Sequence, residues 1–578
     1  MKFGVLALDY DGTIARDGVL DPDVRTSLVE LRARGIRVIL VTGRILSDLE
    51  RVAGDLKFAD AVVAENGAVI AFPNGHSWVV GQPPPAEFLD ELRHRAISFT
   101  EGQCIVETDA TLAPQLLSVI RERELPLALL FNRGRVMILP QAVSKSTGLR
   151  VVLTALRLSI HNTVAVGDAE NDNDLLAACE MGAAVGWGSR FLQKTADEVV
   201  PGAGPPDLAP YIRQAASWMR LPPDRVGRHR ISLGVADDGE QHGFAIGGRN
   251  MLITGDPGSG KSWLCGLLCE QLMLHDYCTC VIDPEGDYEQ LESLPRVVAW
   301  RGADLPSSLP DLDRILRHPD VSVVVNLSRL PYKDKIAYLR SLLPLLASVR
   351  RDTGLPHRIV IDEAHYFLQS SNLGELLDLT LGAYTLVTYR PSELPSDLWK
   401  VIEIMIATRT TDAREVAALQ AISGRSDADW SSTLAGLVIG KGVLLPRRQD
   451  ALGKLRRFSF FPRLTAQVRH RAKYLDVPVP SGREFVFTSD GRPIASPSRT
   501  LQEFVLSLGS ISSEALVGHV HRGDFSRWIG DVFHDQPLAS ELRNVEERYH
   551  VIDDGKELRD DLVQAIRKRY DVETQLEL

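Results

Sequence analysis

The sequence predicts an α/β protein with two doubly wound units in tandem, followed by a helical segment. Two observations carry this. Short apolar runs alternate with amphipathic helical stretches over residues 1–215, and a second such alternation, with different motifs, occupies 231–465. In both series a carboxylate pair or a glycine-rich loop comes straight after an apolar run, where open parallel sheets collect their ligands. The remainder, 466–578, is helical in pattern.

In the first series "FGVLALDY", "IRVILVTG", "AVVAEN" and "NTVAVGD" read as buried parallel strands, with helical stretches such as "DVRTSLVELRARG" between them. The rhythm breaks over residues 72–140, which predicts a small inserted α+β cap. Residues 216–230 read as a linker. The second series supplies "NMLITG", "CTCVIDP", "VSVVVNL", "RIVIDEAH", "YTLVTYRPS" and "IMIATRT", and closes after "GLVIGKGVLLP". No clean internal repeat joins the two halves.

Composition bounds the function. The 578 residues are 44% hydrophobic and 24% charged, ordinary globular values. A net charge of -11 argues against a globally basic nucleic-acid binder. The basic clusters at 220–230, 446–458 and 469–473 read as linker and solvated faces. Six cysteines make no disulfide framework. Cys265 and Cys269 share a helix face, and Cys278 and Cys280 a strand face; buried thiols are expected there rather than a zinc site. With no signal peptide and no apolar run approaching about 18 residues, the expected address is the cytoplasm, away from membranes.

Asp9 and Asp11 project the same way from the end of the first strand. Thr42 follows the second strand, Lys145 opens a helix in "SKSTGL", and "GDAENDNDLL" places Asp168, Asn171 and Asp172 after another. All arrive at one sheet edge. A carboxylate can take a phosphoryl group covalently, and a second can act as proton donor. Several clustered carboxylates call for a hard cation, Mg²⁺ beside phosphate. Thr42 and Lys145 would hold phosphoryl oxygens.

"DYDGT", "VTGR", "AENGA", "SKSTGL" and "GDAENDNDLL", in this order, resemble the haloacid dehalogenase phosphatases of the Cof-type group, whose fold is Rossmann-like with an inserted type IIB cap. The resemblance implies Asp9 as nucleophile and Asp11 as acid/base. It implies Asp9, the Asp11 carbonyl and Asp168 as metal ligands, supported by Asn171 and Asp172.

"LITGDPGSGKSWL" fits a phosphate-binding P-loop between a strand and a helix. Gly255, Asp256, Pro257, Gly258, Ser259 and Gly260 form the loop. Lys261 would reach the β and γ phosphates of ATP, and Ser262 a second Mg²⁺. Asp362 suits water-mediated metal binding and Glu363 the polarising of the attacking water. "VIDPEGDYEQL" (281–291), "LVTYRPSELP" (386–395), "IMIATRTTDAREVAAL" (404–419) and "LAGLVIGKGVLLP" (434–446) resemble HerA/FtsK-type ATPases. That family implies a RecA-like fold and hexameric rings that move nucleic acid. Thr388 and Arg390 match its sensor, with Tyr389 in place of the usual glutamine, and Arg390 or Arg409 would serve a neighbouring subunit as an arginine finger.

In the last segment His519, His521, Asp524 and His534 do not make a ligand set at standard spacing, so a helical module around Trp528 is expected. The reading drawn from all this is a bifunctional Mg²⁺-dependent phosphomonoesterase and ATPase, a homo-hexamer acting on nucleic acid in processing, repair or defence. The competing readings are a sugar-phosphate phosphatase with an ATP-dependent regulatory domain, and an ATP-gated scaffold that only binds.

Overall fold

The computed structural model describes residues 1–132, 134–245, 247–301, 309–368, 373–425, 429–447, 455–465, 479, 482–489, 492–532, 536–550 and 555–569. It divides into two compact units, one of residues 1–282 with 291–465 and the other of 283–290 with 466–578.

The first unit contains both α/β sheets. Among the described residues the first sheet has eight strands, in the order Glu198–Val200, Met181–Val185, Thr163–Gly167, Val5–Leu8, Arg37–Val41, Ala61–Ala64, Val69–Ala71 and Ser77–Val79. The first six are parallel and the last two antiparallel. Val5–Leu8 is fully buried, as a central parallel strand covered on both faces must be. Helices Pro22–Ala33 and Lys145–Ala155 are both fixed at their starts. Asp21 accepts from the amides of Asp23 and Val24, and Ser144 forms a capping box with Thr147.

A four-stranded antiparallel sheet (Leu127–Asn132, Arg135–Pro140, Val106–Asp109, Thr100–Glu101) with helices Ala86–His94 and Ala113–Glu122 interrupts this fold. Its own core gathers Phe88, Leu92, Leu116, Val119 and Ile138. The strand Ser77–Val79, within the stretch read from sequence as cap, instead extends the main sheet. Its exposed side chains explain why it carried no strand signal.

Eleven strands form the second sheet among the described residues. Asn250–Thr254 lies parallel between Tyr384–Thr388 and Ile402–Ala407, and Arg358–Ile361 lies between Tyr384–Thr388 and Thr279–Asp283. Ser322–Asn326 and Val297–Arg301 complete the parallel side. Lys441–Leu445, Arg456–Phe460, Arg230–Ala236 and Gln241–Ala245 add an antiparallel wing. The segment read as a linker is pinned rather than loose. Leu221 and Val226 are buried, Arg225 pairs with Glu198 at 2.6 Å, and Arg228 pairs with Asp197 at 3.0 Å.

In the second unit, helices Leu501–Ser510, Ser513–Arg522, Asp524–Val532, Gln536–Tyr549 and Gly555–Arg569 surround an aromatic core of Phe485, Phe487, Phe504 and Phe525. Trp528 packs at its margin and donates to the Arg483 carbonyl at 2.9 Å. His519 has both nitrogens engaged: one accepts from the Thr488 amide at 2.9 Å, the other meets Asp524 at 2.7 Å. His534 and the basic cluster 469–473 lie outside the described residues. All six cysteines are buried and free. Among the described residues, no helix is long and apolar enough to cross a membrane.

Candidate active sites

The first site lies at the carboxyl ends of Val5–Leu8, Arg37–Val41 and Thr163–Gly167. Lys145 is its centre. The buried ammonium donates to Asp9 Oδ1 at 2.6 Å and Asp172 Oδ1 at 2.5 Å. Burial works to lower the pKa of this lysine, but the Asp172 and Asp9 carboxylates outweigh it and hold it above the ordinary range. Asp9 is pushed the other way: burial, then the charges of Asp172 and Asp168, raise it well above a normal carboxyl despite Lys145. Thr13 Oγ1 lies 3.3 Å from both Asp9 Oδ2 and Asp168 Oδ1.

Lys145 reaches this point because its helix approaches closely. A Cβ on Gly148 would stand 2.6 Å from the Gly67 Cα, so only glycine lets the helix pack on the "ENG" turn. The same turn presents Glu65, whose carboxylate accepts from the amides of Gln103, Cys104 and Ile105 at 2.8–3.2 Å. Glu65 therefore anchors the cap to the core, a role no motif spacing announced.

Asp9, Asp168 and Asp172 each offer an oxygen within 4.8 Å of the others. The donors are all hard oxygens and carry more negative charge than Lys145 balances, which fits Mg²⁺. Asp172 is already engaged. Its Oδ1 holds Lys145 and its Oδ2 accepts from the Asp168 and Ala169 amides, both at 3.0 Å. It is placed to orient the site more than to bind a cation directly. Asn171 lines the cavity in front, and Thr42 is buried beside it, accepting from the Arg44 amide at 3.1 Å.

Asp11 is not beside Lys145. Arg44 grips it in a two-pronged pair, Nε to Oδ2 at 2.5 Å and Nη2 to Oδ1 at 2.7 Å, while its Nη1 binds Asp48. These bonds, with Asp11 first, raise the Arg44 pKa. The fork fixes the Asp11 rotamer, and proton transfer requires an oxygen released from it. With Asp11 read as the proton donor, Arg44→Ala is expected to lower turnover of an alkyl phosphomonoester about 10- to 100-fold by leaving that carboxyl unoriented. The loss on p-nitrophenyl phosphate, whose leaving group needs no proton, is expected to be smaller. Equal losses on the two would show that Arg44 acts elsewhere.

Between core and cap lies a cavity of about 960 Å³. Asp9 and Asp168 lie on its core side and Met137 on the cap side, and Arg16, Arg44, Arg51 and Arg135 also line it.

The second site is the loop after Asn250–Thr254. Gly255 has φ 150° and a Cβ there would overlap Thr408 Oγ1, so the loop closes only on glycine. Ser259 and Thr408 hydroxyls meet at 2.6 Å, and the Asp256 amide donates to the Arg409 carbonyl at 2.7 Å. Lys261 Nζ donates to the Asp256 carbonyl at 3.0 Å, and Ser262 follows it in the helix Lys261–Leu274. Pro257, Gly258 and Gly260 complete the turn. Asp362 and Glu363 leave Arg358–Ile361, one strand beyond Tyr384–Thr388, with Glu363 in the left-handed region at φ 48°. Thr388 accepts from the Arg390 amide at 2.9 Å, so its hydroxyl is free to donate to His365 Nδ1, also at 2.9 Å. Burial takes the His365 pKa down to about 4, so this imidazole is neutral. Tyr389 lies under two cations, Lys261 at 5.8 Å and Arg390 at 5.1 Å from the ring centre.

Residues 6–91 and 120–203 match the family described as haloacid dehalogenase-like hydrolase, and residues 246–387 match the AAA domain. The chain carries a phosphatase domain followed by an ATPase domain. Phosphoglycolate phosphatase of Methanopyrus kandleri is 28% identical over 223 residues, 36% of this chain and 94% of that protein. Phosphoglycolate phosphatase of Methanothermobacter thermautotrophicus is 26% identical over 227 residues, 37% of this chain and 99% of that protein. A haloacid dehalogenase-like hydrolase from Bacteroides thetaiotaomicron aligns over 37% of this chain and all of its own, at 19% identity and TM-score 0.33. In the phosphatase domain the matched segments include Asp9, Asp11, Thr42, Asp168, Asn171 and Asp172. Lys145 and the Arg44 fork also fall within them. The ATPase match takes in the P-loop, Asp362 and Glu363 and ends just before Thr388.

Proposed function

We propose that the phosphatase domain hydrolyses a small phosphomonoester carrying a second anionic group, through an aspartyl-phosphate on Asp9. The observation that carries this is Asp9, bonded to the buried Lys145 behind it, on the wall of a cavity that four arginines and several carboxylates line. Arg44, Arg51 and Arg135 are paired with Asp11, Asp48 and Glu107, so a phosphorylated carboxylic acid such as phosphoglycolate would bind by exchanging its own carboxylate for a protein one, in this reading at Arg135.

In this reading Asp9 attacks phosphorus and a new O–P bond forms. The bond to the leaving oxygen breaks, and that oxygen takes its proton from Asp11. Water then attacks the aspartyl-phosphate, giving its proton to Asp11 and releasing inorganic phosphate. Lys145 and Thr42 hold phosphoryl oxygens throughout. Mg²⁺, held by Asp9, Asp168 and the Asp11 carbonyl, would supply charge for the phosphoryl oxygens. The cap is Cof-type in this reading, and its arginine, Arg135, faces the far end of the substrate.

The ATPase domain, in the same proposal, binds ATP and Mg²⁺ through Lys261, Ser262 and Asp362, with Glu363 polarising water. A second reading adds a HerA/FtsK-type hexameric ring acting on DNA, supported by the motifs at 281–291, 386–395, 404–419 and 434–446. Arg409 stands 3.9 Å from Asp256 of its own loop, so we assign it to its own site and leave Arg390, paired with Glu393, as the candidate finger.

A panel of phosphomonoesters with Mg²⁺ tests the first reading: phosphoglycolate and other phosphorylated acids are expected to exceed neutral sugar phosphates in kcat/KM. Preference for sugar phosphates would move the substrate to that class. Lys261→Ala is expected to abolish ATP hydrolysis and leave phosphatase turnover intact. ATP turnover that rises with added DNA would support the ring; turnover indifferent to DNA, in a protein monomeric with ATP and Mg²⁺, would remove it.

A further inference from the structure

A buried cluster in the first unit belongs to neither phosphate site. His161 stands in the turn Ile160–Asn162 before the strand Thr163–Gly167. Glu180 immediately precedes Met181–Val185, and His229 precedes Arg230–Ala236, the strand that starts the second sheet. One ring nitrogen or carboxylate oxygen from each lies within 4.8 Å of the other two. His161 and Glu180 are buried and His229 is half-buried.

Hydrogen bonds define what each atom can do. His161 Nε2 lies 2.8 Å from the His275 carbonyl, which only accepts, so Nε2 carries a hydrogen. His161 Nδ1 faces Glu180 Oε2 at 2.8 Å, and that oxygen also accepts from the Tyr277 hydroxyl at 2.8 Å. An ionised carboxylate cannot donate. Two lone pairs cannot face each other at this distance, so the contact holds either a shared proton or a metal ion. His229 Nε2 lies 2.8 Å from the Cys179 carbonyl and must donate to it, leaving the lone pair on Nδ1. Glu180 Oε1 is buried without a hydrogen-bond partner.

Both imidazoles thus have one nitrogen fixed by a backbone carbonyl, the support that orients histidine ligands and sets their tautomer. A metal about 2.0–2.1 Å from His161 Nδ1 and Glu180 Oε2 in tetrahedral geometry would need that pair to open from 2.8 Å by about half an ångström. Two imidazoles and a carboxylate favour zinc over magnesium or calcium, which take all-oxygen sites.

We propose that His161, Glu180 and His229 bind a zinc ion that ties the phosphatase domain to the first strand of the ATPase domain. Tyr277 and His275, both from the ATPase domain, complete the tie: Tyr277 stacks on His161 with ring centres 3.6 Å apart and bonds Glu180, and the His275 carbonyl accepts from His161 Nε2 at the ring edge.

The test compares the full chain with His229→Gln, whose amide keeps a donor for the Cys179 carbonyl and removes the ligand. Wild type purified without chelator is expected to hold stoichiometric zinc by elemental analysis, and His229→Gln to lose it. Cobalt(II) titrated into metal-stripped wild type is expected to give the visible bands of a nitrogen-ligated, low-coordinate ion, absent in the variant. The phosphatase and P-loop sites are present in both proteins, so their oxygen-bound cations cancel in the comparison. Equal zinc in the two proteins overturns the proposal. So do wild-type cobalt spectra without such bands, a readout that stands even if the variant does not fold. The His161–Glu180 contact would then be an ordinary hydrogen bond.

Discussion

Asp9→Asn is expected to abolish phosphatase turnover, by about a thousandfold or more, while ATP hydrolysis continues at the wild-type rate. An amide of the same shape cannot form the aspartyl-phosphate, and nucleophile removal costs most of the chemical step. The fold should survive. Burial and two neighbouring carboxylates already push the Asp9 pKa up, so its charge is costly in the folded protein without a cation. Asparagine keeps a carbonyl for Lys145 and removes that charge, so the melting temperature in the absence of Mg²⁺ should hold or rise. Phosphate release and ATP turnover measured on the same preparation check the result. Phosphatase activity that persists on several phosphomonoesters would remove Asp9 as nucleophile.

Much of this site is legible in the sequence because its residues sit at strand ends. Asp9, Thr42 and Asp168 follow apolar runs, and parallel topology carries them to one edge. Lys145 is legible because Ser144 and Thr147 mark a helix start. The grip of Arg44 on Asp11 is not. An arginine two residues after Thr42 looks like a surface residue until the second strand ends next to the first. Glu65 is similar: its hold on the amides of 103–105 spans about 40 residues, and no local pattern encodes such a contact. The strand Val297–Arg301 escaped because only Val297 is buried and it lies at the edge of its sheet. His161, Glu180 and His229 come from three separate connections with no ligand spacing between them, so only the packing of two sheets brings them together.

Lys145→Met tests the other half of the phosphatase centre, and its expected effect is on stability as much as on activity. Methionine has nearly the same reach and no charge. It would leave Asp9, Asp172 and Asp168 facing one another in a buried site. Removing one partner of a buried pair costs about 3–5 kcal/mol, and here one ammonium serves two carboxylates at 2.6 and 2.5 Å. Denaturant unfolding at neutral pH without Mg²⁺ should show the loss. Adding Asp9→Asn to Lys145→Met should recover part of it, because one uncompensated carboxylate is gone. Asp172→Asn should recover less. Its Oδ2 accepts from the Asp168 and Ala169 amides, and asparagine presents an acceptor there only by turning its NH₂ towards position 145. The order of the two double variants separates a charge effect from a packing effect. If neither substitution restores stability, the coupling of Lys145 to Asp9 and Asp172 is not what holds this sheet edge together.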